Sequence, residues 1–320
     1  MSDRAKLIYI MGTGRCGSTL LDNALGSIEG FFSTGELHKL WSGAILRGAG
    51  CGCGRPVVDC PVWSKVLSRV GYPDGLVDPR EVWRWQLGEA RVVHTPRILR
   101  LEPGSPSDRP DLERYRELLG ALHRAILDVT GADVIVDSSK TPADAAILST
   151  MTDVDLTLVH LVRDPRAVAH SWQRTRPTND PHREEPMFRL GPATSTVRWD
   201  LTNLVGDRVR RRSGRVAAFT VRYEDFVERP REVVGRIVDA AGKQGRPLPF
   251  VNDRTIRLES NHTVWGNRSR FLTGDVRLHA DEEWRTGGAL RNGLVTALAL
   301  PWLTHYGYQW SSRRLGEAPA

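Results

Sequence analysis

The stretch Leu7–Leu21, LIYIMGTGRCGSTLL, constrains the fold more than any other part of the chain. Leu7 to Ile10 form a short apolar run of the kind that makes a buried strand, and Ser18-Thr19 open a helix that continues through Leu20, Leu21 and Leu25. Between them Gly12, Gly14 and Gly17 let the backbone fold tightly. A glycine-rich turn feeding a helix start aims backbone N–H groups at one point, which suits an anion with several oxygens. Gly14, Arg15, Cys16, Gly17, Ser18 and Thr19 are therefore the candidate phosphate-binding residues. The spacing Gly12-x-x-x-x-Gly17 follows a Walker A loop, but Ser18 stands where that loop carries its lysine. The positive charge comes instead from Arg15, whose planar guanidinium suits a multi-oxygen anion. Such a loop does not serve an ordinary nucleoside triphosphatase.

A second strand, basic turn and helix follow in VDLTLVHLVRDPRAVAHSW, residues Val154 to Trp172. With both segments in order, a resemblance is plain. GTGRCGSTLL resembles the 5′-phosphosulfate loop of sulfotransferases that use 3′-phosphoadenosine 5′-phosphosulfate (PAPS). LVRDPRAVAHS resembles their 3′-phosphate segment, with Arg163 and Ser171 in the spacing that family uses. Read without the family, Arg163 and Ser171 would be a helix-start ion pair and a cap. FFSTGELHKLW, VIVDSSKTP, VRYEDFV and GNRSRF resemble further segments of the same enzymes, in the same order along the chain. The likeness is closer to the bacterial, carbohydrate and tyrosylprotein types than to the cytosolic phenol type. It implies a P-loop-like α/β fold of three layers, PAPS as cosubstrate, and nucleotide contacts from Tyr223, Gly266, Asn267 and Arg270.

The resemblance also assigns the chemistry. Sulfuryl transfer needs an acceptor oxygen and a leaving phosphate oxygen on opposite sides of sulfur, so positioning and electrostatics carry most of the acceleration. Arg15 and Lys140, one of five lysines in the chain, would meet the charge on the phosphosulfate and the leaving oxygen. In phenol and steroid sulfotransferases a Lys-Thr-His run supplies the base, whereas this chain reads Lys140-Thr141-Pro142. That departure points to Glu36 as proton acceptor, with His38 in reserve. The residue-level alternative makes Glu36 a helix-start acid. Two other classes remain at this point: a P-loop kinase acting on a small molecule, and a nucleotide-binding module without chemistry.

Length and composition set the frame. At 320 residues with 40% hydrophobic content, one large α/β domain is expected over the whole chain. Alternating strands near Leu7–Ile10, Val134–Asp137, Leu156–Val162 and Val216–Arg222, with helices from Ser18, Pro142, Pro165 and Pro230, imply a parallel sheet. Punctuation by Pro and Gly at 71–79 and 101–111 marks an inserted helical or lid segment around 71–111, and a mobile loop is expected around 175–192. The net charge of +7 suits an anionic cosubstrate, and with basic residues scattered no nucleic-acid partner is expected. The N-terminal apolar run is too short for a secretory signal and no stretch is long enough to span a bilayer, so a cytoplasmic protein without integral membrane association is expected.

Four cysteines in a reducing compartment need not pair. Cys51, Cys53 and Cys60 lie in C-x-C-x6-C order with no histidine in the segment, a poor spacing for zinc, so no metal is expected. Similar Cys-x-Cys-Gly segments in bacterial relatives imply a local structural role or a redox-sensitive bridge. Cys16 is small enough for the tight loop, and a thiol at a helix start is a candidate for unusual acidity.

Overall fold

The strand that precedes the glycine-rich turn is buried along nearly its whole length, and its alternate side chains enter two different cores. This computed structural model describes residues 4–174, 188–212, 216–286 and 288–310. Within strand β1 (Ala5–Gly12), Leu7, Tyr9 and Met11 face one apolar cluster and Ile8 and Ile10 face another. A strand covered on both faces reads as a continuous apolar run, and this pattern belongs to the interior of a parallel sheet.

The sheet is completed by β2 (Phe31–Gly35), β3 (Val134–Lys140), β4 (Val154–Val162) and β5 (Ala217–Arg222), in the order β2-β3-β1-β4-β5 with every pair parallel. The helices in chain order are α1 (Ser18–Gly26), α2 (Trp63–Arg69), α3 (Pro79–Glu89), α4 (Thr95–Ile98), α5 (Pro110–Thr130) and α6 (Pro142–Ser149). They continue with α7 (Pro165–Gln173), α8 (Pro192–Arg212), α9 (Tyr223–Glu228), α10 (Pro230–Ala240), α11 (Glu283–Thr286) and α12 (Ala289–His305). Trp63 of α2, Tyr115 and Ile126 of α5 and Ile147 of α6 fill one face of the sheet. Leu21 and Leu25 of α1 and Val234 and Ile237 of α10 fill the other. The result is the expected three-layer α/β architecture.

The four strands and four helix starts read from the sequence fall where expected, each within a few residues. Proline at the first turn fixes α6, α7 and α10, where its missing N–H costs nothing. Strand β2 was not foreseen, because FFSTG is short and ends in glycine. A small antiparallel sheet of β6 (Phe250–Asn252), β7 (Thr255–Leu258) and β8 (Gly274–Arg277) was not foreseen either. Residues 71–111, expected as an inserted helical segment, hold α3 and α4. Asp78 caps α3 by accepting from the Arg80 N–H, and Gln86 on its buried face donates to the His38 carbonyl at 3.0 Å and to the Tyr115 hydroxyl at 3.2 Å. Of the loop expected at 175–192, residues 175–187 lie outside the described residues. No helix among the described residues is long and apolar enough to cross a membrane.

One feature of the sheet edge is costly. Asp22 of α1 is fully buried and accepts a hydrogen bond from the Ser33 hydroxyl of β2. Burial pushes its carboxyl up to about 7, against the Ser33 bond that opposes the rise and with the nearby Asp137 charge adding to it. The folded chain therefore holds a proton that the unfolded chain releases near pH 3.8, so stability falls as pH rises from about 4 to about 7 and stays lower above. Asp22→Asn keeps the acceptor for Ser33 without the charge. It should match the parent near pH 4 and exceed it at pH 8 by on the order of 2–4 kcal/mol in urea unfolding. Equal stability of the two chains at pH 8 would show that Asp22 is not buried as a carboxylate there.

Candidate active site

Four strand ends converge on the glycine-rich turn. In register, Met11 pairs with Lys140 of β3 and Gly12 with Leu161 of β4, so the turn after β1 emerges between the ends of both neighbours. Arg163 follows β4 directly, and Glu36 follows β2. Crevices at the carboxyl ends of parallel strands are where open α/β sheets bind ligands.

The turn is built by backbone conformations that most residues avoid. Arg15 takes φ 71° and Gly17 takes φ 94°, both left-handed. At Gly17 a side chain has no room: a Cβ would stand 2.3 Å from the Tyr223 ring. At Gly14 a Cβ would meet the Trp172 ring at 2.7 Å. The Arg15 guanidinium lies over that same tryptophan, 4.8 Å from its ring centroid. From Gly17 onward the first N–H groups of α1 have no preceding helical turn to bond to, and these are the donors an anion would meet. Thr19 accepts from the Asn267 N–H through Oγ1 at 3.2 Å, and Gly266 packs beside the same hydroxyl. Cys16 turns inward. Its side chain is fully buried, its N–H is given to the Thr13 carbonyl, and burial pushes its thiol up. This corrects the expectation of an acidic thiol at the helix start, because desolvation outweighs the nearby Lys140 and Arg163 charges.

Arg163 brings a second guanidinium to the turn. It is 6% exposed, donates to the Arg15 carbonyl at 3.1 Å, and stacks over Tyr223 at 4.6 Å. Its Nε is buried with no hydrogen-bond acceptor among the described residues. A buried guanidinium with an unused N–H is expensive unless something accepts from it, which a phosphate would do. Asp281 already engages the same group at 3.5 Å and also pairs with Arg174 at 2.9 Å. A cavity of about 420 Å³ opens here, with Arg163, Tyr223, Arg222, Asp281 and Trp284 in its wall.

Glu36 and Lys140 form the other half of the site. The Lys140 ammonium lies 2.6 Å from Glu36 Oε1, with both side chains mostly buried. Both reach this position through register breaks. β3 gains a residue against β1 between Tyr9 and Met11, and β2 gains one against β3 between Ser33 and Gly35. The first break leaves Lys140 at φ 72°, a left-handed conformation that costs about 1–3 kcal/mol and is held by its surroundings. Glu36 stands at the N-cap position of the 3₁₀ turn Leu37–Lys39, and its side chain makes no cap hydrogen bond. His38 Nδ1 lies 2.7 Å from Asp144 Oδ2, and Asp144 also accepts from Thr141 and from Tyr115.

The structure thus brings Gly14, Arg15, Gly17, Ser18 and Thr19 together with Arg163, Tyr223, Gly266 and Asn267, and sets Glu36 against Lys140. The two remaining expected nucleotide contacts are Ser171 and Arg270. Ser171 is buried in α7 and makes no side-chain hydrogen bond among the described residues, while its neighbour Trp172 meets the loop. Arg270 is 3% exposed and donates to the carbonyls of Thr263 at 3.1 Å and Gly50 at 2.9 Å, so its guanidinium faces the backbone of the cysteine segment. Trp172, Asp281 and Asp144 were missed by sequence reasoning. Trp172 had a signal, standing at the end of the second motif, whereas Asp281 had none.

A sulfotransferase family model matches residues 75–244, just over half of the chain. Three solved structures are similar along nearly the whole chain. The sulfotransferase domain of the Synechococcus olefin synthase has 20% identity and a TM-score of 0.46, covering 94% of this chain and 96% of its own. The sulfotransferase domain from the curacin biosynthetic pathway has 16% identity and a TM-score of 0.49, covering 96% and 99%. A sulfotransferase from Mycobacterium avium has 13% identity and a TM-score of 0.48, covering 98% and 79%. No curated protein matches.

The loop geometry is testable without any ligand. Gly17→Ala combines a left-handed backbone with overlap on Tyr223, and should lower unfolding stability by about 2–4 kcal/mol. A neutral substitution would mean that Gly17 is not left-handed against that ring.

Proposed function

Because this chain belongs to the sulfotransferase family, we propose that it moves a sulfuryl group from PAPS to a hydroxyl of a small-molecule, carbohydrate or lipid acceptor. When bound, PAPS supplies the sulfuryl group, which passes to the acceptor oxygen by in-line displacement. The observation that carries this reading is the pairing of two separate cation sites at adjacent strand ends. Arg15 with the α1 N-terminus forms one, and Arg163, whose buried Nε has no acceptor among the described residues, forms the other. A ligand with anions on both the 5′ and the 3′ oxygens of one ribose suits them. Tyr223, wedged between Gly17 and Arg163, ties the two sites into one surface.

Glu36 accepts the proton of the acceptor hydroxyl, and Lys140, released from Glu36, holds the leaving oxygen. Their 2.6 Å contact supports this reading, since a carboxylate and an ammonium share the space beside the loop. Family membership sets the kinase reading aside, and the Glu36–Lys140 pair speaks against a module without chemistry. The His38–Asp144 contact supports a second reading of the base, with Asp144 orienting the His38 imidazole.

Calorimetry should show 3′-phosphoadenosine 5′-phosphate binding about 100-fold or more tighter than AMP, since several charge-assisted hydrogen bonds depend on the 3′-phosphate. Arg163→Ala should erase most of that difference. Equal affinity of the parent chain for the two nucleotides would refute the PAPS assignment.

Glu36→Gln preserves shape but removes the basic oxygen. With an accepted hydroxyl substrate and saturating PAPS, kcat should drop by roughly 100-fold while nucleotide affinity holds. Near-full turnover would move the base to His38.

A further inference from the structure

The cysteine segment takes no part in the site above, yet the fold gives it a partner that its own sequence lacks. Cys51, Cys53 and Cys60 are free thiols. The first two ride on a tight turn in which the Cys51 N–H donates to the Arg55 carbonyl at 2.7 Å and the Gly54 N–H to the Cys51 carbonyl at 2.9 Å. Cys60 ends a 3₁₀ turn and leads into α2. Against these thiols stands His262, 202 residues beyond Cys60. Its Nδ1 lies 3.2 Å from Cys60 Sγ and 3.8 Å from Cys51 Sγ. The three sulfurs and one imidazole nitrogen all lie within 4.8 Å of one another.

We propose that Cys51, Cys53, Cys60 and His262 form a structural zinc site. Zn–S bonds of about 2.3 Å and a Zn–N bond of about 2.0 Å in a tetrahedron set ligand atoms about 3.5–3.8 Å apart, close to the contacts observed here. Three sulfurs and one nitrogen are a soft donor set that suits zinc over magnesium or calcium. Four protein ligands leave no open position, so the metal holds structure and does no chemistry. Three thiolates and a neutral imidazole on Zn²⁺ carry one net negative charge. The buried Arg270 guanidinium, bonded to the carbonyls of Gly50 and Thr263 next to two of the ligands, supplies a positive one. The ligands are also held from behind. Trp63 donates to the His262 carbonyl, the Phe32 ring stacks on the imidazole, and Asn261 Oδ1 accepts from the Thr263 N–H and hydroxyl. This site replaces the expectation of no metal, which rested on a missing fourth ligand within the segment.

The metal would fix more than its own loop. Directly after His262, the Thr263 carbonyl accepts from the Gly52 N–H, the Val264 N–H donates to Thr34, the Trp265 carbonyl accepts from the Glu36 N–H, and the Asn267 N–H reaches Thr19. The segment from 262 to 267 therefore links the zinc site to the backbone of Glu36 and to the glycine-rich turn.

The test uses the full chain without an affinity tag, purified under reducing conditions without chelator. Elemental analysis should find one zinc per chain, released on modification of the thiols by a mercurial. Cobalt(II) replacing zinc should show the ligand-field bands of a tetrahedral site with thiolate charge transfer in the near ultraviolet. Cys53 is only partly buried, so Cys53→Ser should still fold, and its zinc affinity in chelator competition should fall by about 100-fold or more. Removing zinc from the parent should lower its melting temperature. A folded chain that binds neither zinc nor cobalt, a Cys51–Cys60 disulfide in the reduced preparation, or iron in place of zinc would each overturn the proposal. Nucleotide binding is not the readout, so a failure here is separate from a failure of the PAPS reading.

Discussion

The parallel pairing of β1 with β3 on one side and β4 on the other is the constraint on which the rest of the structure depends. It places a central strand with both ladders filled and both faces buried, so its register has almost no freedom. A one-residue slip would turn Leu7, Tyr9 and Met11 into the wrong core. With the register fixed, the ends of the three strands are fixed too, and with them the glycine-rich turn, Lys140 and Arg163. The site's geometry is thus inherited from the most rigid part of the molecule.

Where the site departs from ideal geometry, the sheet absorbs the strain. The breaks in the β1–β3 and β2–β3 ladders aim Lys140 and Glu36 at one another, and the left-handed backbone of Lys140 is the local cost. Beneath them lies a polar layer: Asp22 with Ser33, Asp137 with Ser139, and Asp144 with Thr141, Tyr115 and His38. Burial pushes both Asp22 and Asp137 up to about 7. Such groups would be cheaper as apolar residues. Their hydrogen bonds instead fix the carboxyl ends of β2 and β3, from which Glu36 and Lys140 extend.

Segment 261–271 is the second organiser. It contributes no strand to the main sheet, yet its backbone reaches Thr34, Glu36, Thr19 and Gly52, and Arg270 closes it onto Gly50. This explains why a motif whose resemblance pointed to nucleotide contacts divides its labour. Gly266 and Asn267 stay beside the glycine-rich turn, while Arg270 is drawn into a buried bond set at the cysteine segment, where backbone carbonyls satisfy a guanidinium that solvent cannot reach.

The sequence by itself determined the sheet's central strands, the helix starts, and the glycine-rich turn, because each rests on local periodicity, proline placement or the conformational range of glycine. The assignment of Glu36 came from the family resemblance instead, through Pro142 standing where phenol sulfotransferases carry a histidine. Only the tertiary structure decided that Glu36 pairs with Lys140, that Cys16 faces inward, that Asp281 engages Arg163, and that His262 meets three cysteines about two hundred residues earlier. Those relations join residues remote in the chain through strand register and layer packing, and no local spacing rule carries that information.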